Sequence, residues 1–438
     1  MSSVQNRHEL ESKVLRPLIN PGFTYQAVLL VLAGIVAVGV VNWIGQLREG
    51  LIVTGLKNHA FWGLYITTFV YFIGISLAGT LVSAVLRLAG QHWQTPLTRM
   101  AEVITGSALI GAVLMILVDM GRPERLLTVF WYGRIVSPLI WDVIAVSTYL
   151  AGSLFYLYVP MIPDLALCRD RLKASVSPLR HKIYSILALG WQDTPEQRAA
   201  LEKAMRVMTI VIVPAGIAVH SVTAWLFGMT LRSGWDNAIL APYFVVSAFF
   251  SGTAMVVVIM AIYRKWFKLE EYLTPGHFTK LGWLIVTMAI IYGYFNFSEL
   301  LTEAYKLKGD EKAFLSMFFT GVFAKYFWLF IAGSILIPIF LVVWSKTRNV
   351  VRITMAGLLV VIGVWFKRYI FVIPSLMFPM TPTYENAPLY SPSLAEWSIT
   401  LIGLAGFLLM IGLFFRYFPA MPVWEMVRER ERALEGGE

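Results

Sequence analysis

Nine residues of this 438-residue chain stand out by type and position: His59, Trp62 and Tyr65, then Asp119 and Arg122, then Trp141 and Asp142, then His220 and Trp225. All lie inside or at the ends of long apolar runs. An ionisable side chain at hydrocarbon depth costs at least ~2.5 kcal/mol, so each needs a partner or a function. Gathered at one end of a helix bundle, they supply what a quinone pocket requires: a hydrogen-bond partner for each carbonyl, an aromatic wall for the ring, and a carboxylate or imidazole that exchanges a proton on reduction or oxidation. Asp119, Asp142 and His220 would then be the catalytic groups, and the other six the quinone-binding ones. Each also has a plainer reading. Asp119 and Arg122 are three apart, the spacing of a helix-end ion pair. His220 fits a core histidine donating to a carbonyl, Asp142 fits a carboxylate at a helix N-terminus, and His59 fits a hydrated boundary position.

A second set sits deeper or on the far side. Arg99 and Glu102 are again three apart, with Thr80 and Ser83 at matching depth, and a polar file from these through Thr105 and Ser107 toward Asp119 would conduct protons. Tyr294, Asn296, Glu299 and Glu303 share a depth with Lys325, Lys367 and Arg368, which reads either as a structural ion-pair network or as a second proton route.

Composition removes several other chemistries. The single cysteine, Cys168, allows no internal disulfide, no Cys-ligated iron–sulfur cluster and no C-x-x-C-H haem attachment. Of six histidines only His220 lies well within an apolar run, so a bis-histidine haem is not expected, and neither is a metal centre. Neither a G-x-x-x-x-G-K-[ST] nor a G-x-G-x-x-G run is present. Redox work by such a chain has to use a diffusible cofactor or a partner's centres.

The elements that must position these residues are helices crossing a membrane. Apolar and aromatic residues make up 58% of the chain and charged ones 14%, far from the balance of a soluble domain. Apolar runs of about 20 residues recur with charge gathered between them, as a ~30 Å hydrocarbon core demands. Ten spans are predicted, near 25–46, 61–87, 99–119, 138–159, 206–229, 240–262, 281–300, 316–344, 351–373 and 397–416. The eighth is long enough to be tilted or to extend beyond the bilayer. The first follows a polar stretch with no small-residue cleavage site after it, so it is expected to be retained rather than removed as a leader.

With ten spans both termini share a side, and that side collects 24 of the 36 Lys and Arg residues against eleven opposite, with Lys325 inside a span. The bias places both termini in the cytoplasm, and most of the net charge of +10 becomes topology and attraction to lipid headgroups rather than a sign of nucleic acid. An all-α polytopic protein results. Residues 1–24 form a cytoplasmic segment and 25–59 a peripheral helix with its outer loop. A first four-helix bundle (60–229, spans 2–5) would carry the quinone site, and a second spans 230–373 (spans 6–9). A Pro-rich outer loop (374–396) and a last helix with its cytoplasmic tail (397–438) complete the chain.

The 160–206 connection, with Pro163, Pro178 and Pro195, should hold short helices. The 374–396 loop has five prolines around Tyr384 and Tyr390, and would form a semi-rigid cap or a docking surface. The tail after Pro422 reads as a solvated helix without chemistry. AGTLVSAVLRL (78–88) resembles SGTAMVVVIMAIYR (251–264), a faint repeat that would relate the two bundles in parallel.

Several runs carry a family resemblance: GISLAGTLVSAVLRL (74–88), DMGRPERLLTVFWYGRIVSPLIWDVIAVSTYL (119–150), VPMIPDLALCRDR (159–171), LALGW (187–191), VHSVTAWLFG (219–228), APYFVVSAFFSGTAMV (241–256) and VVIGVWFKRYIFVIPSL (360–376). They resemble the membrane subunits of the NrfD/PsrC polysulfide-reductase family, in particular its ten-helix branch, with the ActC-type subunit of alternative complex III and the membrane subunit of the Qrc menaquinone-reductase complex. The resemblance implies a haem-free subunit of a bacterial inner-membrane respiratory complex. It would bind menaquinone or another quinone near the outer face and exchange electrons with an extracytoplasmic iron–sulfur subunit. A molybdopterin-oxidoreductase-like subunit and a multihaem cytochrome c usually accompany that subunit, and proton translocation can accompany the reaction.

The family's WD pair matches Trp141 and Asp142, its GRP motif Gly121, Arg122 and Pro123, and the histidine of its HSV run His220. ActC-type subunits commonly read GHAGT where this chain reads SLAGT, placing Leu77 at the histidine position and adding weight to a menaquinone-reducing complex. An acidic residue often found in the GVWFKRY run is Lys367 here. Ten spans with buried charge also suit a proton- or ion-coupled transporter, and a structural anchor for peripheral subunits is a third alternative.

Overall fold

A computed structural model describes residues 3–307, 311–344, 349–378 and 389–435, with side chains from residue 8 onward except at 430 and 432–435. Among the described residues the chain is helical throughout. A terminal helix α1 (Ser3–Ile19) precedes α2 (Phe23–Glu49), α3 (Leu64–Leu88), α4 (Thr95–Asp119) and α5 (Pro138–Arg171). The short α6 (Pro178–Leu187) leads into α7 (Pro195–Gly228), α8 (Leu240–Trp266), α9 (Pro275–Lys306), α10 (Ala324–Val343), α11 (Val350–Leu376) and α12 (Leu394–Tyr417), and α13 (Val423–Glu435) closes the chain. Ten of these, α2–α5 and α7–α12, are long and apolar enough to cross a membrane, as the sequence predicts.

Helices α3, α4, α5 and α7 pack in a ring, and α8, α9, α10 and α11 in another; α3 and α7 meet α8 and α11 along the seam. The pair α2 and α12 lies against α3 and α4. Gly39 lets that pair approach closely, since a Cβ there would collide with Ile402 Cγ1. Alone among the spans, α2 is almost wholly unburied, and its outward Leu30, Val31, Val38 and Val41 form the face a lipid would cover. The two repeated motifs meet at the seam: a Cβ on Gly252 would stand 2.8 Å from the Ala78 nitrogen, so SGT packs onto AGT backbone to backbone.

Four boundaries differ from the sequence reading. The fourth span runs on to Arg171 through a 3₁₀ turn at Val159–Met161, and α7 starts at Pro195 behind a Thr194 cap, so the 160–206 connection holds one short free helix. The expected eighth span is broken into Glu311–Phe319 and α10 around Gly321, where a Cβ would meet the Met317 backbone at 2.8 Å. Helix α11 passes through Pro374 to Leu376 before the Pro-rich loop begins, and Pro379, Pro382, Tyr384 and Pro388 lie outside the described residues.

The tail is not a freely solvated helix. Its Val423, Glu425 and Met426 are buried, Arg87 donates to Glu425 at 2.6 Å, and the Trp424 ring meets Trp191 edge-on. Helices α1 and α13 touch, so both ends of the chain share one face of the molecule, here termed the terminal face.

Candidate functional site

The buried side of α5 presents Asp142, Val146, Tyr149, Ser153 and Tyr156, steps of three and four residues that keep one helical face. The facing side of α7 presents Thr209, Gly216, His220 and Thr223. Near the opposite face Thr223 donates its hydroxyl to Asp142 Oδ1 at 2.5 Å. One turn deeper His220 is fully buried, with Nδ1 2.7 Å from the Gly216 carbonyl oxygen and Nε2 2.8 Å from that of Ile73. A neutral imidazole has one N–H and serves one of these acceptors; the doubly protonated ring serves both.

The Ile73 carbonyl is reachable because α3 changes its winding there. Its α-helix ends at Ile75, and Thr80–Val85 is π-helical, a feature that releases carbonyls from the regular ladder. Ile73 O also accepts from the Ser76 hydroxyl at 2.7 Å, and Ser76 O accepts from Tyr149 Oη at 3.1 Å. Tyr149 Oη also lies 2.7 Å from Thr80 Oγ1, and its ring meets His220 edge-on.

Toward the terminal face the pattern continues. Ser83, on the π-helical segment, donates to Glu102 Oε1 at 2.7 Å and lies 3.1 Å from Tyr156 Oη, which is 3.4 Å from Thr209 Oγ1. Thr209 lines a cavity of about 300 Å³, with Arg87, His92, Glu202, Arg206 and Glu425 around it. Ser153, buried, lies between the two tyrosines on α5. A polar file thus runs from the terminal-face cavity past Thr209, Tyr156, Ser83 and Glu102 to Thr80, Tyr149 and His220, with Asp142 beyond. It departs from the expected route: Thr105 accepts from the Gly79 amide at 2.7 Å, and Arg99 turns from Glu102 to a buried pair with Asp164 at 2.9 Å. Asp164 also accepts from the Trp424 amide at 2.9 Å, so Arg99 anchors α13 through it.

At the opposite face Tyr65 donates to Gln46 Oε1 at 2.7 Å, and Gln46 donates to the Val118 carbonyl at 3.0 Å. Asp119 Oδ1 is buried and, among the described residues, has no hydrogen-bond partner. Arg122 is exposed and, among the described residues, forms no ion pair with Asp119, so the expected helix-end pair is absent. His59 is buried, and Trp62 packs on Phe227 and Trp235 at 5.5 and 5.8 Å between ring centroids. Trp141 donates to the Ile135 carbonyl at 2.5 Å, and Trp225 is exposed on the outward side of α7, so these two stand apart from His220 and Asp142.

The sequence reading did not single out Tyr149, Tyr156, Thr209, Thr223, Gln46 or Glu396. Fully buried Glu396 accepts from the Gly55 amide at 2.6 Å, the Ser393 amide at 2.9 Å and Tyr390 at 2.5 Å, tying the loop before α3 to the start of α12. Ser393 three residues ahead of Glu396 is a capping box, and that signal was available.

In the second ring Lys367 donates to Glu299 at 2.9 Å within the core. Arg368 donates to Ser247 at 2.6 Å, lies over the Phe244 ring, and abuts Gly74 of α3, which places it on the seam. Lys325 is exposed over Tyr326, outside this network.

The fold and its buried polar file define a polytopic, all-helical membrane protein. The family model for the polysulphide reductase NrfD matches residues 52–380, and the chain belongs to that family. It is 28% identical to a putative membrane subunit of a dimethyl sulfoxide reductase of Halobacterium salinarum, over 93% of this chain and 94% of that one. Identity is 27% to an Hdr-like menaquinol oxidoreductase integral membrane subunit of Archaeoglobus fulgidus, over 92% and 96%, and 26% to a menaquinone reductase integral membrane subunit of Nitratidesulfovibrio vulgaris, over 86% and 87%.

Proposed function

We propose that this chain is the quinone-reactive membrane subunit of a multisubunit respiratory oxidoreductase. Its quinone, menaquinone by analogy with the two relatives named for it, would be taken up where the first ring meets the opposite face, beside Asp142, His220, Asp119, His59 and Trp62. An iron–sulfur partner on that face would exchange electrons with it. The 24-to-11 division of basic residues supports a cytoplasmic terminal face.

The observation that carries this reading is the polar file on α3, α5 and α7, three hydrogen-bonded groups that succeed one another from a terminal-face cavity toward His220 and Asp142 within the segment that the family model matches. Buried polar atoms toward that end fit such a ligand: among the described residues Asp119 Oδ1 and the Thr67 and Thr68 hydroxyls have no partner, and quinol hydroxyls or quinone carbonyls would satisfy them. A quinone takes up two electrons and two protons on reduction and returns them on oxidation. The chain's own part is to hold and move the protons. Asp142 accepts from Thr223 and has a second oxygen for the ligand, while His220 passes between states that serve one or both flanking carbonyls. The Tyr149 and Tyr156 hydroxyls carry exchange toward Thr209 and the cavity.

The test is to purify the complex that a tagged chain brings down from native membranes and to measure quinone turnover. Co-purifying iron–sulfur protein and turnover lost in Asp142→Asn and His220→Ala, with assembly intact, are expected. A chain that purifies without redox partners, or turnover unchanged in both variants, overturns the proposal.

A further inference from the structure

A second cluster of ionisable groups lies in the other ring, away from the file just described. Helix α9 buries Tyr292, Asn296, Glu299 and Glu303, a stripe with steps of four, three and four that faces α8 and α11. Lys367 of α11 reaches it through the 2.9 Å bond to Glu299, with its ammonium 5.4 Å from the centre of the Tyr243 ring and 5.9 Å from that of Phe330. Asn296 is held by Tyr243, which donates to its Oδ1 at 3.1 Å, and by its own bond to the Tyr292 carbonyl. Every group in the stripe is thus engaged except one: Glu303 Oε2 is buried and, among the described residues, has no partner.

Glu303 and Glu299 both line a cavity of about 10 Å³, which has room for one water molecule, and its other walls include Lys367, Phe314, Phe318 and Phe371. Among the described residues the charged groups facing Glu303 are Glu299, Lys367, Glu311 and Lys306. Glu303 Oε2 therefore stands, among the described residues, as a buried carboxylate oxygen without a partner in a largely aromatic setting. A bare carboxylate oxygen there is costly, and the charge is removed most simply by a proton. A sodium ion would need several more oxygen ligands than this aromatic wall offers.

We propose that Glu303, Glu299 and Lys367 form a proton-binding site in the second ring: one exchangeable proton resides on Glu303 beside the Glu299–Lys367 pair and exchanges through a single water. The site is independent of the quinone reading. It provides a proton store near the opposite face, the end of the molecule at which the first ring places Asp142.

Dicyclohexylcarbodiimide, which modifies protonated carboxyl groups in apolar surroundings, tests this on the intact complex in native membranes, with adducts mapped by peptide mass spectrometry across a pH series. The expected result is an adduct at Glu303 that falls at least tenfold as pH rises through its titration, is unaffected by 100 mM sodium, and is absent in Glu303→Gln. Glu299, held by Lys367, should stay unmodified, and in Lys367→Gln the labelling should persist to higher pH and extend to Glu299. No adduct at Glu303 at any pH in samples where other buried carboxyls react overturns the proposal, as does protection by sodium, which would make the site a cation site. Equal labelling of Glu299 and Glu303 in the native chain also overturns it.

Discussion

The Thr223 hydroxyl donates to Asp142 Oδ1 at 2.5 Å across the contact between α7 and α5, joining the two helices that carry the ionisable groups at the opposite face. The bond fixes one carboxylate oxygen, and in the proposed site the other would meet the quinone. Asp142→Asn keeps the volume but removes the proton acceptor, and quinone turnover of the complex should drop more than tenfold with assembly intact. Thr223→Val removes only the positioning bond, and loss of about 1 kcal/mol predicts a decrease of about fivefold. Steady-state kinetics on both variants checks the order; a Thr223→Val defect as deep as that of Asp142→Asn would show that the hydroxyl does more than position.

The Tyr156 hydroxyl sits between Ser83 and Thr209, below the terminal-face cavity. Tyr156→Phe keeps the ring and deletes that link. The expected outcome is a kcat reduced about tenfold with KM unchanged, since the quinone end is untouched, and a steeper dependence of kcat on pH as proton delivery becomes limiting. Glu102→Gln should act in the same direction. A kcat within twofold of the native value in both would place the route elsewhere.

The sequence showed much of this architecture and only part of the site, for a physical reason. Spans are legible because a hydrocarbon core imposes length and excludes charge, and Asp142 and His220 are legible because ionisable groups inside such runs are conspicuous. Tyr149, Tyr156 and Thr209 are not, because hydroxyls in apolar helices are common and only the packing of α5 against α3 and α7 shows that Tyr149 meets Thr80 and that Tyr156 meets Ser83 and Thr209. Trp225 is the converse. It shares a run with His220, yet five residues turn the helix about 140°, which carries it to the outward side. The break before α10 was hidden because Gly321 interrupts an otherwise continuous apolar run.

Leu77 occupies the space against Gly216, where a Cβ would stand 2.7 Å from Leu77 Cδ1 and 3.3 Å from Thr80 Oγ1. Gly216→Ala therefore overpacks the contact between α7 and α3, at a cost of about 1–3 kcal/mol. It also moves the carbonyl that faces His220 Nδ1. Lower accumulation in the membrane and a lower thermal midpoint are expected, and Leu77→Ala should restore both by vacating the space. Failure of that second change to rescue would show that the glycine serves backbone geometry rather than side-chain room.

At the terminal face Thr95 donates to Glu429 Oε1 at 2.6 Å, holding α13 over the cavity into which the polar file opens. Burial pushes the Glu429 carboxyl above the ordinary carboxylate range, and Glu425 adds to the shift, while bonds from Thr95 and His92 offset part of it. A carboxyl that binds its proton more tightly when docked contributes to docking fully below its ordinary value and loses that contribution as pH rises through the raised one. Helix α13 should therefore open more readily at pH 8 than at pH 5. Hydrogen exchange of residues 423–435, corrected for the intrinsic pH dependence of exchange, should show an opening equilibrium a few-fold larger at the higher pH. Glu429→Gln should remove most of the difference, because the neutral amide keeps the Thr95 bond at every pH. A native profile that is flat, or that slopes the other way, would mean that the ion pair between Arg87 and Glu425 governs docking alone.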